Sequence, residues 1–152
     1  MDVNIVARPE AVALGRSENG PGSHKQAVLT QLADLFSAVY GLNAVDVFEG
    51  LEQREALGST GFGKGIAIPH CRNAQVKRPT LALLKLDTPC DFGSADAEPV
   101  TLFFGLVSPE NAGATHLHAL AAISRVLRDE AMLQALHEAN DAEALYALLT
   151  NQ

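Results

Sequence analysis

A histidine that follows a glycine-rich loop is the residue best suited to chemistry in this sequence. His70 comes directly after Pro69 and after residues 58–65, of which four are glycine. Proline fixes its own φ and restricts the residue before it, so the backbone entering His70 is stiff. A neutral imidazole is a good nitrogen nucleophile toward phosphorus near pH 7. His70 is therefore a candidate phosphoryl acceptor, with a structural or exposed histidine as the alternative.

The glycine-rich loop itself could bind an anion. It fits the nucleotide-binding pattern G-x-x-x-x-G-K, but Gly65 stands where a Ser or Thr would hold magnesium, and a helix rather than a strand is predicted before it. Nucleotide binding is therefore not favoured. Glycines permit positive φ and let backbone N–H groups converge on an anion. We predict phosphate contacts from Ser59, Thr60, Gly61 and Gly63, with a connector that binds nothing as the alternative.

An arginine lies one helical turn before this loop. Arg54 offers a planar guanidinium that can bind phosphate oxygens through two N–H groups. Its position at the end of a predicted helix would let it reach the same space as His70. The alternative is a surface arginine that pairs with Glu49 or Glu52 of its own helix.

A second histidine, His116, lies at the start of a later predicted helix. If Thr115 is the N-cap, His116 falls in the first turn, where free N–H groups and the helix dipole favour an anion and keep an imidazole neutral. His118 lies about 200° around the helix from His116, so the two cannot share a target. The spacing of His70, Cys71 and these two histidines does not fit a metal site, and nothing marks Cys71 as an activated nucleophile.

Helices and strands alternate around these residues. Hydrophobic spacing predicts a first helix with a capping box at Ser23 and Gln26, a second helix from Asn43 to Leu57, and a third from Thr115 to about Arg128. Asp129 and Asp141 are predicted to cap two more helices, and strands are predicted at residues 66–68, 80–86 and 100–107. We expect one α/β domain over residues 23–152, preceded by a strand and loop segment in residues 1–22.

Composition and net charge limit the kinds of partner that the chain is expected to bind. The chain has 152 residues, 47% of them hydrophobic, no Trp and a net charge of −7, which disfavours nucleic acid and anionic membranes. Residues 56–86 nevertheless hold five basic and no acidic residues, so this stretch could be reserved for an anion. Two cysteines without a pairing pattern, no signal peptide and no apolar run of membrane length predict a cytoplasmic protein.

The stretch from Arg54 to His70, R-E-A-L-G-S-T-G-F-G-K-G-I-A-I-P-H, resembles the signature of a known family. It is similar to the IIA domains of the bacterial phosphoenolpyruvate-dependent phosphotransferase system, in the mannitol/fructose class and its nitrogen-regulatory branch. The resemblance continues through Asp91-Phe92-Gly93, Glu98-Pro99-Val100, the Thr115-His116-Leu117 segment and the closing residues 141–146, and covers roughly residues 23–150. Cys71 departs from it, because a small residue is usual there.

The resemblance implies a fold, a site and partners. The fold is a three-layer α/β/α sandwich with a mixed central sheet. His70 would accept a phosphoryl group on Nε2 from an HPr-like carrier (NPr), with Arg54 and His116 as active-site partners and no metal or cofactor. The chain would act as a phosphoryl carrier rather than a free-standing enzyme. It would regulate partners such as potassium-transport or sensor-kinase proteins; the alternative is a sugar-specific IIA component that passes phosphate to a separate IIB cysteine.

Overall fold

The computed structural model describes residues 5–16, 24–94 and 96–150. Within these ranges it contains a six-stranded sheet and five helices. The strands are β1 (Val6–Gly15), β2 (Gly61–Gly63), β3 (Ile66–Ala67), β4 (His70–Asn73), β5 (Thr80–Cys90) and β6 (Val100–Pro109). The helices are α1 (His24–Tyr40), α2 (Ala44–Ala56), α3 (Ala114–Leu127), α4 (Glu130–Glu138) and α5 (Ala142–Thr150).

The sheet is mixed, with β5 and β6 at its centre. β5 pairs with β1 in parallel and with β6 in antiparallel orientation. The other edge of β6 is covered by β3 and then β4, both parallel to it, and β2 pairs with β3. The strand β1, which lies in the N-terminal segment of residues 1–22, is thus part of the same sheet as the other strands.

Side-chain alternation along β6 separates two cores. Phe103 and Val107 pack on one face of the sheet with α1 and α2, and Phe104 and Leu106 pack on the other face with α3, α4 and α5. Successive residues of a strand point to opposite faces, so a nearly continuous apolar strand indicates a sheet covered on both sides. The predicted three-layer α/β/α sandwich is confirmed.

Most of the predicted helix boundaries are confirmed by hydrogen bonds. The side chain of Asn43 accepts from the N–H of Asp46 at the start of α2, and Asp129 and Asp141 accept in the same way at the starts of α4 and α5. The predicted capping box at Ser23 lies outside the described residues.

The predicted N-cap of α3 is wrong. The cap is Gly113, with a φ of 55°, and the N–H of Thr115 is hydrogen-bonded to the carbonyl of Ala112. The turn at residues 109–113 starts the helix early, because glycine enters this positive-φ conformation without steric cost. His116 still falls in the first turn, as the third helical residue.

The strand around His70 also differs from the prediction, which ends it at the histidine. Pro69 interrupts the strand, and His70 instead opens β4, which continues to Asn73 along the edge of β6. Ile66 pairs with Leu102 and His70 with Leu106, so β3 and β4 keep one register on either side of the proline. A residue without an N–H breaks the ladder locally and leaves the strand direction unchanged.

Candidate functional site

The imidazole of His70 is held in one tautomer. Its half-buried ring places Nδ1 2.7 Å from the carbonyl oxygen of Ile68. Because a carbonyl can only accept, Nδ1 carries the ring proton and Nε2 keeps its lone pair. Burial lowers the pKa of His70 below its ordinary 6.5; Arg54 acts in the same direction, whereas the Ile68 hydrogen bond and Glu55 oppose it. The ring is therefore neutral near pH 7 and nucleophilic at Nε2.

Arg54 lies against this nucleophilic nitrogen. It occupies the last turn of α2, where its Nε donates to Nε2 of His70 at 3.2 Å and its Nη1 donates to the carbonyl of Gly58 at 2.9 Å. In the part of the chain that the structure describes, no salt bridge joins Arg54 to Glu49 or Glu52. The second contact holds the guanidinium at the helix end, so the structure brings Arg54 and His70 together.

His116 reaches the same site from the first turn of α3. Its ring is buried, with its centroid 5.4 Å from that of His70, and its Nδ1 lies 2.7 Å from the hydroxyl oxygen of Ser108. Burial lowers the pKa of His116 to about 4, with smaller contributions from His70 and Arg72. The ring is therefore neutral near pH 7. His118 is exposed on the same helix, as its spacing predicts.

These side chains share a cavity of about 420 Å³ between α2, β4 and the start of α3. Its lining consists of Gly50, Gln53, Arg54, Leu57, His70, Cys71, Arg72 and His116. No side chain caps the N-terminus of α3, so the helix dipole adds positive potential near His116. The space is positive and open, and can receive an anion next to Nε2 of His70.

Arg72 is the residue of this cavity that sequence reasoning missed. It is exposed, two positions after His70 on β4, and it lines the same cavity. No described residue forms an ion pair with its guanidinium. Alternation along a strand places residues i and i+2 on the same face, so a strand prediction that continued past His70 would have found it.

The predicted loop donors are not part of this cavity lining. Thr60 is buried, and its N–H and hydroxyl both donate to the carboxylate of Glu55. The hydroxyl of Ser59 donates to the carbonyl of Phe92 and accepts from the N–H of Gly61. Gly61 and Gly63 form β2. Phosphate contacts from these four residues stay a prediction. In this structure the hydrogen bonds of Ser59, Thr60 and Gly61 hold the loop in its conformation.

Glu55 is the centre of that loop support. It is buried in the last turn of α2 and pairs with Lys25 of α1 at 3.0 Å. The ammonium of Lys25 also lies 4.8 Å from the ring centroid of Phe92. These contacts connect α1, the end of α2 and the glycine-rich loop next to Arg54.

Few of the basic residues in the acid-free stretch face the cavity. Lys64 lies 3.9 Å from Glu130, and Lys85 donates to the carbonyls of Leu136, His137 and Ala139 at the end of α4. Cations commonly stabilise the free carbonyls of a helix C-terminus. Arg72 is the member of the stretch that lines the cavity. The clustering in sequence is therefore a poor guide to which basic residues line the cavity.

Cys71 fills space left by a glycine on the neighbouring helix. A Cβ at Gly50 would lie 3.0 Å from the sulfur of Cys71, so α2 and β4 approach closely at this pair. Burial raises the pKa of the Cys71 thiol to about 12. The thiol is thus an inert packing group next to His70.

Two properties of the described residues bear on other functions. Among residues 5–16, 24–94 and 96–150, no group of three or more His, Cys, Asp or Glu side chains could hold a metal ion. Over the same ranges, no helix is both long enough and apolar enough to cross a bilayer.

Comparison with known proteins gives one consistent family. Residues 19–152 match the family model described as the phosphoenolpyruvate-dependent sugar phosphotransferase system, EIIA 2. The chain is 42% identical over 149 residues to a nitrogen regulatory protein of Bradyrhizobium diazoefficiens, covering 98% of this chain and 95% of the relative. A nitrogen regulatory protein of Pseudomonas aeruginosa is 45% identical over 139 residues, with 90% of each chain covered. The crystal structure of nitrogen regulatory protein IIA-Ntr from Neisseria meningitidis superposes with a TM-score of 0.82 at 34% identity, covering 95% of this chain and 97% of that one.

Proposed function

The chain belongs to the EIIA type-2 family of the phosphoenolpyruvate-dependent sugar phosphotransferase system, and we propose that it carries a phosphoryl group on Nε2 of His70. The observation that carries this proposal is the tautomer of His70. The hydrogen bond from Nδ1 to the Ile68 carbonyl leaves the lone pair on Nε2, the nitrogen that Arg54 contacts.

The transfer we propose is an in-line displacement between two histidines. The lone pair of Nε2 forms the new N–P bond, and the N–P bond of a phosphohistidine on an HPr-like carrier (NPr) breaks, its electron pair returning to the donor ring. Nδ1 of His70 keeps its proton, and the Ile68 carbonyl stabilises the positive charge that the ring acquires. Because the bonds broken and formed are alike, positioning and charge stabilisation supply the catalysis.

Three features of the cavity would stabilise the transferred group. The guanidinium of Arg54 can exchange its contact with Nε2 for contacts with phosphoryl oxygens. Arg72 adds a second cation at the cavity wall, and the uncapped N-terminus of α3 adds the helix dipole. None of these contributions requires a metal ion.

The output of the carrier is proposed to be regulatory. The relatives at 42% and 45% identity are named nitrogen regulatory proteins. We propose that the phosphorylation state of His70 controls binding to cytoplasmic partner proteins, with potassium-transport and sensor-kinase proteins as the classes to examine first. Transfer to the cysteine of a separate sugar-specific IIB protein is the second candidate, which the family description favours.

Reconstitution tests the carrier function. Purified protein is incubated with labelled phosphoenolpyruvate, enzyme I and the small carrier, and acid-labile phosphate on the chain is measured. We expect label on the wild type and on His118→Ala, which removes an exposed histidine, and no label on His70→Ala. Absence of label on the wild type, or label that persists in His70→Ala, contradicts the proposal.

A second step separates the two outputs. Fructose- and mannitol-class IIB proteins are added to the phosphorylated chain. Retention of the label on His70 supports the regulatory output, whereas rapid transfer to a IIB cysteine supports the sugar-specific alternative.

A further inference from the structure

A fully buried serine contacts the second histidine of the site. Ser108 is 0% exposed near the end of β6, and its hydroxyl oxygen lies 2.7 Å from Nδ1 of His116. The register of the sheet pairs Ser108 with Arg72 on β4, two residues beyond His70. The serine therefore lies beneath the cavity, in contact with a ring that lines it.

The direction of this hydrogen bond decides where His116 keeps its proton. A neutral imidazole has one N–H, and a serine hydroxyl can either donate or accept. If His116 donated from Nδ1, the hydroxyl proton of Ser108 would need another acceptor. Among the described residues, the hydroxyl of Ser108 has no hydrogen bond other than the one to His116. A buried donor without an acceptor is costly, so the favoured arrangement has the hydroxyl donating to Nδ1.

The two histidines then hold complementary tautomers. His70 has its proton on Nδ1 and its lone pair on Nε2, while His116 accepts at Nδ1 and has its proton on Nε2. Within the described part of the chain, Nε2 of His116 makes no hydrogen bond to protein. Its N–H is thus available to the cavity that both rings line.

We propose that Ser108 is a positioning residue that fixes the proton of His116 on Nε2, so that this N–H donates to the phosphoryl group carried by His70. The hydrogen bond from His116 to a phosphoryl group on His70 rests on the proposed function, whereas the tautomer of His116 does not depend on it. A donor aimed at the place where negative charge resides stabilises both the transferred group and the transition state that leads to it. In the other tautomer, His116 would present a lone pair to the phosphoryl oxygens and repel them.

The nitrogen chemical shifts of the unphosphorylated wild type test the tautomer directly. Long-range ¹H–¹⁵N spectra at pH 7.5 distinguish protonated from unprotonated ring nitrogens in each histidine. We expect His116 to be protonated at Nε2 and His70 at Nδ1. A wild-type spectrum with His116 protonated at Nδ1 overturns the proposal, and this measurement requires neither a phosphoryl donor nor a variant that folds.

Two variants then connect the tautomer to transfer. Ser108→Ala removes the hydroxyl that donates to Nδ1 of His116. We expect a mixture of His116 tautomers, an unchanged His70 tautomer and phosphoryl transfer slowed about tenfold. Ser108→Thr keeps a hydroxyl, and we expect it to restore the tautomer and most of the rate. A single Nε2 tautomer in Ser108→Ala, or a wild-type transfer rate in a Ser108→Ala protein with mixed tautomers, overturns the proposal. If the wild type takes up no phosphoryl group at all, the proposed function fails, and the spectra still decide the tautomer.

Discussion

The Nε of Arg54 lies 3.2 Å from Nε2 of His70 and donates a hydrogen bond to it. A permanent cation therefore contacts the nitrogen that holds the lone pair, which disfavours protonation there and leaves the imidazole neutral. The same guanidinium is held by the carbonyl of Gly58 at the end of α2. The end of the helix, the glycine-rich loop and the histidine are thus connected through one side chain.

Arg54→Lys should slow phosphoryl transfer by roughly tenfold to a hundredfold, because lysine keeps the charge and loses the planar fork that can span Nε2 and the phosphoryl oxygens. Arg54 is half-buried, so we expect the free energy of unfolding to change by less than about 1 kcal/mol. Rapid-quench measurements of label transfer check the rate. Arg125→Lys, an exposed substitution near the end of α3, is the matched control; equal rates for the two variants would count against the role of Arg54.

Stability should fall as the pH is lowered from about 6.5 toward 4. Burial lowers the pKa of His116 from 6.5 to about 4, so in this window the unfolded chain binds a proton that the folded chain does not. The free energy of unfolding then decreases on acidification, by at most about 1.4 kcal/mol per pH unit for one site. Full stability from this group is present above the unfolded pKa. His70, whose pKa is also lowered, adds a contribution of the same sign.

Urea unfolding at several pH values between 7.5 and 4.5 measures this dependence. We expect a shallower slope for His116→Gln than for the wild type. His118→Gln, which alters an exposed histidine two residues away, should keep the wild-type slope. Identical slopes for His116→Gln and the wild type would show that His116 is not the buried neutral histidine described above.

Glu55→Gln should destabilise the fold by about 1–3 kcal/mol, because the carboxylate accepts from Thr60 and pairs with Lys25 while it is buried. Glu49→Gln changes an exposed carboxylate on the same helix and should stay within about 0.5 kcal/mol of the wild type. Denaturant midpoints at pH 7.5 compare the two. Equal stability would mean that the Glu55 network contributes nothing to holding the loop.

The sequence was sufficient for the α/β class and for most of the elements because local signals agree with the fold, whereas the three-layer sandwich with its mixed sheet was implied by the family resemblance. The apolar spacing of α1, the side-chain caps at Asn43, Asp129 and Asp141, and the continuous apolar run of β6 each predict their element without information from distant residues. The motif that ends in His70 likewise contains two residues that meet in space, since Arg54 and His70 stand at the two ends of the segment that holds the glycine-rich loop.

The position of Arg72 relative to Ser108 could not be predicted, because it depends on strand register. Arg72 and Ser108 pair across β4 and β6, and that register follows from how the sheet as a whole packs. The prediction of phosphate contacts from the glycine-rich loop also depends on information that the sequence lacks. A sequence does not show that Glu55 is buried, so it cannot show that the Thr60 donors are already satisfied.

The atom that carries the phosphoryl group tests the central claim most directly. After labelling by phosphoenolpyruvate, enzyme I and the small carrier, ³¹P and ¹⁵N spectra of the intact protein distinguish phosphorylation at the two imidazole nitrogens. The hydrogen bond from Nδ1 of His70 to Ile68 predicts a phosphoryl group on Nε2 of His70, with Nδ1 still protonated. A phosphoryl group on Nδ1 of His70, or on any other residue, would contradict the account.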